Sequence, residues 1–135
     1  MTQIKIHWSF WLVCVVALIW NLLGSINFIT QMQPELLANY PDAAKSLIAS
    51  RPVWATGGFA IAVFVGAFGD MLLLLKKAFA YYLFIASFLG VLVTSIHTFQ
   101  VTSAVDIWVG SMMSFAVAGF LIWYSKLVQR KGWVN

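Results

Sequence analysis

The sequence predicts an all-α integral membrane protein, a four-helix bundle with antiparallel neighbours and a short amphipathic outer helix between the first two spans. Three observations carry this expectation. The 135 residues are 62% hydrophobic and only 9% charged, against roughly 25% charged in soluble domains. Four apolar stretches each approach the roughly 20 residues that a hydrocarbon core of about 30 Å requires of a helix. The basic residues gather at the ends of those stretches, which is how topology is marked in membrane proteins.

The spans are expected at residues 8–30, 53–75, 78–100 and 107–125, within a single domain covering 1–135. The first begins after Lys5 and lacks an Ala-x-Ala-like cleavage site near its end, so it reads as a retained helix and not a signal peptide. The segment 31–52 follows, the one sizeable stretch outside the spans. Pro34 and Pro41 are each suited to opening a short helix. After Pro41, Asp42 complements the helix dipole while Ala44, Leu47 and Ile48 share a face, so 41–50 is expected to lie on the outer surface as a cap or a lid. Only Lys76 and Lys77 separate the second and third spans, and a short turn over 101–106 joins the third and fourth, which makes sequential neighbours antiparallel.

Orientation follows from the cations. Lys5, Lys76, Lys77, Lys126, Arg130 and Lys131 fall on one side and only Lys45 and Arg51 on the other, which predicts that both termini are cytoplasmic. The formal charge of +4 is thereby a topology signal, and no nucleic-acid partner is implied. Trp8, Trp11, Tyr81, Tyr82, Trp123 and Tyr124 near the inner ends, with Trp54 and Trp108 near the outer, fit interfacial aromatic belts; Trp20 falls close to the mid-plane instead. The single cysteine, Cys14, lies inside the first span and reads as a small packing residue.

Membrane helices associate through small residues and interhelical hydrogen bonds. Gly58 and Gly66 in the second span, Gly90 in the third and Gly110 in the fourth are therefore the expected helix contacts. The same stripes also suit contacts between copies of the chain.

Polar groups within spans are the functional candidates. Asp70 is placed about 8 Å from the inner end of its span by helix rise. It is expected to reach the inner interface, to pair with Lys76 or Lys77 or to sit protonated in the bundle, or else to act in a proton- or cation-linked role. Counting depth along the first and third spans puts Asn21, Asn27, His97 and Gln100 in the outer half. They are expected to line a small polar pocket partly covered by the 41–50 helix, since isolated polar side chains in lipid are costly. The competing expectation makes His97 and the asparagines packing groups with interhelical hydrogen bonds. His7 lies at the opposite surface from His97, so no metal site is expected, and no cofactor fingerprint or catalytic motif is present.

One resemblance adds to this reading. Leu18-Ile19-Trp20-Asn21-Leu22-Leu23-Gly24, then Arg51-Pro52-Val53-Trp54-Ala55, Phe59-Ala60-Ile61-Ala62-Val63-Phe64, Gly66, Gly69, Lys76-Lys77 and Phe88-Leu89-Gly90-Val91 together resemble a group of short bacterial inner-membrane proteins with four predicted spans, labelled "sugar transporter". The resemblance covers roughly residues 8–100. It implies a bacterial inner-membrane location and the four-span architecture, and offers no catalytic residues to carry over; Asp70 stands where the pattern is small or neutral.

Three functions then compete. A structural or accessory protein that binds lipid, another membrane protein or a second copy of itself is favoured by the small-residue faces and basic inner rim. A small-solute, sugar-like transport role is the alternative; against it, no span contains an internal proline to break a helix at the mid-plane. An enzyme ranks last, because no acid–base or metal constellation is present.

Overall fold

The computed structural model describes residues 5–135, and among them the chain is helical with no β-strand. Helix α1 spans Trp8–Gln31, α2 Pro34–Leu37 and α3 Asp42–Ala49. The second span is composite: α4 (Val53–Ala60), a π-helical turn (Ile61–Val65) and α5 (Gly66–Leu74). Helices α6 (Ala80–Val101) and α7 (Val105–Arg130) complete the chain. Four of these segments are long and apolar enough to cross a membrane. The spans stand where the apolar stretches place them. The last runs longer than expected, carrying Lys126 and Arg130 on its final turns.

Proline sets the helix starts between the first two spans. Pro34 occupies the first turn of α2, while Pro41 and Pro52 immediately precede α3 and α4 with extended backbone, positions where a missing N–H costs nothing. The turn after α5 closes differently. Lys76 adopts a left-handed φ of 62°, its N–H reaches the Leu73 carbonyl, and the Lys77 N–H reaches Leu72, both at 2.9 Å. This is the paired closure that lets a helix end abruptly. The tail beyond α7 docks on the same turn: the Asn135 N–H donates to the Lys76 carbonyl and the Ala78 N–H to the Asn135 carbonyl, both at 3.0 Å. That end of the bundle is its terminal end, and the opposite one, carrying α2 and α3, its loop end.

Neighbouring spans are antiparallel, as their contacts show. Gly58 lies against Gly90, Gly66 against Ser87 and Gly69 against Phe84, so numbers rise on one helix as they fall on the other. Likewise Phe88 packs on Phe115 and Phe99 on Trp108 between α6 and α7, and Phe28 on Phe59 between α1 and α4.

The glycines divide by what surrounds them. A methyl group at Gly90 would stand 2.5 Å from the Gly58 carbonyl oxygen and 2.7 Å from the Ala62 nitrogen, so the second and third spans meet backbone to backbone. At Gly66 it would stand 2.8 Å from Asn21 Oδ1 and 2.9 Å from Ser87 Oγ. Gly110 corrects the expectation: it is exposed, and a methyl there would meet nothing within 4 Å. Its stretch of α7 borders a cavity instead of a helix.

The terminal half is solidly filled. Phe10, Cys14, Leu73, Ala80, Phe84, Leu121, Tyr124, Val128 and Val134 form one buried cluster, against which Ile6 and Trp133 pack. Phe10 stacks on Tyr124 with ring centres 6.5 Å apart. The loop half has no comparable core, and the space there is the candidate site.

Candidate functional site

A cavity of about 500 Å³ occupies the loop half, within the range of roughly 300–1,000 Å³ common for ligand sites. Each side is built by a different element. Helix α1 contributes Asn21, Asn27 and Gln31 with Gly24; α3 lays Ala44, Leu47 and Ile48 over it, and Arg51 and Phe59 stand at the start of the second span. The facing wall is hydroxylic, with Thr94, Ser95 and Thr98 on α6 and Ser111 and Ser114 on α7. The apolar face that the sequence gives the 41–50 helix thus covers a chamber of mixed lining, in which amides and hydroxyls stand among apolar side chains.

The π turn helps to shape this chamber, since Ala62 and Val63 line it. The Ser87 hydroxyl donates to the Ala62 carbonyl at 2.6 Å, and the Gly66 N–H goes to Val63. A hydroxyl inserted into the backbone ladder is one recognised cause of such an irregularity. The sequence, having no proline in a span, conceals this mid-span break.

At the mouth, two hydrogen bonds order the polar groups. Tyr40 donates its hydroxyl to Asn27 Oδ1 at 2.6 Å, and Arg51 donates from Nη2 to Gln31 Oε1 at 2.8 Å. The guanidinium also stands 5.1 Å from the centre of the Phe59 ring, within cation–π range. Burial lowers the Arg51 pKa from its ordinary value, as expected when a cation loses water.

At the floor, Asn21 donates from Nδ2 to Asp70 Oδ2 at 2.5 Å. Asp70 is fully buried and does not line the cavity, and its Oδ1 has no partner among the described residues. The expected pairing with Lys76 or Lys77 is therefore replaced by an amide from the middle of α1. Asn21 both lines the cavity and holds the carboxylate beneath it.

Two of the four residues expected to line the pocket do so, Asn21 and Asn27; His97 and Gln100 do not. Gln100 is exposed. His97 is buried and donates from Nε2 to the Ser50 carbonyl at 3.2 Å, which fixes the proton on Nε2 because a carbonyl only accepts. Its Nδ1 is buried without a partner, and its ring meets Trp54 edge-on with centres 6.3 Å apart. His97 therefore ties the end of α3 to α6, holding the cover in place from outside the chamber. Among the described residues no group of three or more His, Cys, Asp or Glu side chains is placed to hold a metal ion.

A second cavity, of about 440 Å³, lies between α1 and α7 on the terminal side of Trp20. Its walls are Leu12, Val13, Val16 and Ala17 on one helix and Ala116, Val117, Phe120 and Leu121 on the other. Trp20 lines both cavities, and its ring marks the change from polar to apolar. Nothing on the lower walls offers a hydrogen bond for recognition.

No protein-family model, curated protein or solved structure matches this chain. Sequence reasoning missed Gln31, Tyr40, Arg51, Thr94, Ser95, Ser111 and Ser114; the signal available was the hydroxyl residues spaced three or four apart on the last two spans.

Proposed function

We propose that this protein binds a small polar solute in its loop-end chamber, as part of a transport-related role in a bacterial inner membrane. Both termini are taken to be cytoplasmic, from the distribution of Lys and Arg, so the chamber lies toward the outer side. The observation that carries the reading is the chamber itself: about 500 Å³, with amides, hydroxyls and Arg51 set among apolar side chains, where the second cavity is lined almost wholly by apolar ones. Irregular backbone at membrane depth is tolerated where it lines a cavity, and the π turn at Ile61–Val65 does so. The resemblance to proteins labelled "sugar transporter" points the same way.

A second reading, an accessory protein packed against another membrane protein or a second copy, draws on α7, the span that buries the least of itself. Val109, Met112 and Met113 are exposed along it.

Two measurements test the proposal. Binding of six-carbon polyols and their acids to purified protein, followed by thermal stabilisation, should occur in the wild type and be lost in Ser111→Phe, which fills the chamber from its least packed wall. A panel that stabilises neither protein, or both equally, sinks the solute-binding reading. Orientation is tested separately in a Cys14→Ser background, where an impermeant thiol reagent added outside should label Ala43→Cys and spare Lys131→Cys.

A further inference from the structure

We infer that the chamber's occupant is a singly charged oxyanion, held at the mouth by the Arg51 guanidinium. The inference rests on the solute-binding reading and names the chemistry of the solute. Among the described residues lining the chamber, Arg51 is the one charged side chain; no carboxylate stands on any wall to neutralise it. Its named partner is the neutral amide of Gln31. A guanidinium carries five N–H donors, so this bond leaves most of the fork for a ligand. Partial burial of the cation, which lowers its pKa, is relieved when an anion arrives.

The neighbouring amides support the same polarity. Asn27 and Gln31 are four residues apart, on one face of α1. The oxygen of Asn27 accepts from Tyr40 and the oxygen of Gln31 accepts from Arg51. Each internal bond takes one lone pair of an amide oxygen, and the first also spends the Tyr40 proton, while both amide NH2 groups and the rest of the guanidinium stay unspent, so the mouth is richer in donors than in acceptors. A site that offers donors selects a ligand that brings acceptors. A carboxylate or phosphodiester oxygen pair matches the planar fork of arginine in particular. The single positive charge limits the match to a monoanion, since a second negative charge would lie uncompensated in a partly dry chamber. Thr94, Ser95, Ser111 and Ser114 face the remainder of the ligand, which favours a hydroxylated body.

The test compares two probes with the same six-carbon polyol body, gluconate and glucitol, which differ in carrying a carboxylate or a neutral hydroxymethyl group. Equilibrium binding to the purified full chain should favour gluconate by about tenfold or more, the scale of a hydrogen bond to a charged group. In Arg51→Gln the preference should disappear, and Arg51→Lys should restore part of it. Gln31→Glu supplies an internal carboxylate to the guanidinium and should abolish the preference while keeping Arg51. Equal binding of the two probes by the wild type, or a preference that survives both Arg51→Gln and Gln31→Glu, overturns the oxyanion inference and leaves the solute-binding reading standing. Failure of both probes to bind overturns both. Repeating the titration in nanodiscs of phosphatidylcholine with and without phosphatidylglycerol separates the sources of the anion. Loss of gluconate binding on adding the anionic lipid shows that a lipid phosphodiester competes for the same oxyanion site, and unchanged binding assigns the site to the free acid.

Discussion

The seam between the second and third spans and the seam between the first and fourth behave oppositely. In the former, Gly58 and Gly90 bring two backbones together so closely that neither tolerates a methyl group without movement. In the latter, α1 and α7 stand apart around two cavities, with Phe10 and Tyr124 stacked between them at the terminal end. Small residues therefore permit close approach without dictating it. Gly110 shows this, since it sits in a small-residue stripe and faces open space. One seam locks two spans together and the other leaves open space between two.

The contrast is broken most directly at Gly90. Gly90→Ala places a methyl against backbone atoms of the opposing span, which cannot turn aside as a side chain can. Overpacking of this kind costs about 1–3 kcal/mol or more, seen as a lowered Tm in detergent; an unchanged Tm would mean that the two spans slide freely. Next in size is Asn21→Ala, which removes the donor from a buried carboxylate. A loss of about 1–2 kcal/mol is expected from the range measured for interhelical hydrogen bonds and for buried groups left unpaired. The double variant Asn21→Leu with Asp70→Leu should recover much of this loss, because removing both partners leaves nothing unsatisfied. If the double variant is less stable than Asn21→Ala, the pair does more than satisfy itself. The smallest effects belong to the open seam. Gly110→Ala and Ala116→Leu should each shift stability by no more than about 0.5 kcal/mol. A larger loss at either position would show that spans one and four close on each other in solution.

Much of this architecture was legible in the sequence, because length and apolarity alone determine what can cross a bilayer. The cover helix was legible too, from the face shared by Ala44, Leu47 and Ile48. The chamber was half legible, for a geometric reason. Depth along a helix can be counted from its ends, but direction around the axis needs the neighbours. At about 100° per residue, Val91, Thr94, Ser95 and Thr98 form one face of α6, all four lining the chamber. His97 falls about 110° from the middle of that face, and Gln100 about 170°. Both have the right depth and the wrong azimuth. Asp70 posed the reverse problem: its burial was foreseeable as one possibility, but its partner was not, since the interhelical hydrogen bond expected of Asn21 came without the helix that would accept it.

The π turn at Ile61–Val65 is the reason such azimuths cannot be extrapolated along the second span. A π turn absorbs about one residue more than an α turn, and one residue corresponds to about 100° of rotation. The span is thus two regular helices joined out of phase, and its side-chain directions obey two separate clocks. Gly58 keeps time on one side of the join, and Asp70 on the other. Deleting a single residue within the turn would heal the helix and, because the turn takes up one residue without adding its rotation, would leave Asp70 facing Asn21 with Gly58 still seated on Gly90. Closing the turn with no deletion would instead carry the carboxylate round by about 100°. The extra residue is therefore silent in direction for as long as the turn absorbs it, and the acid keeps its address by an irregularity of the backbone, with no change to the acid itself.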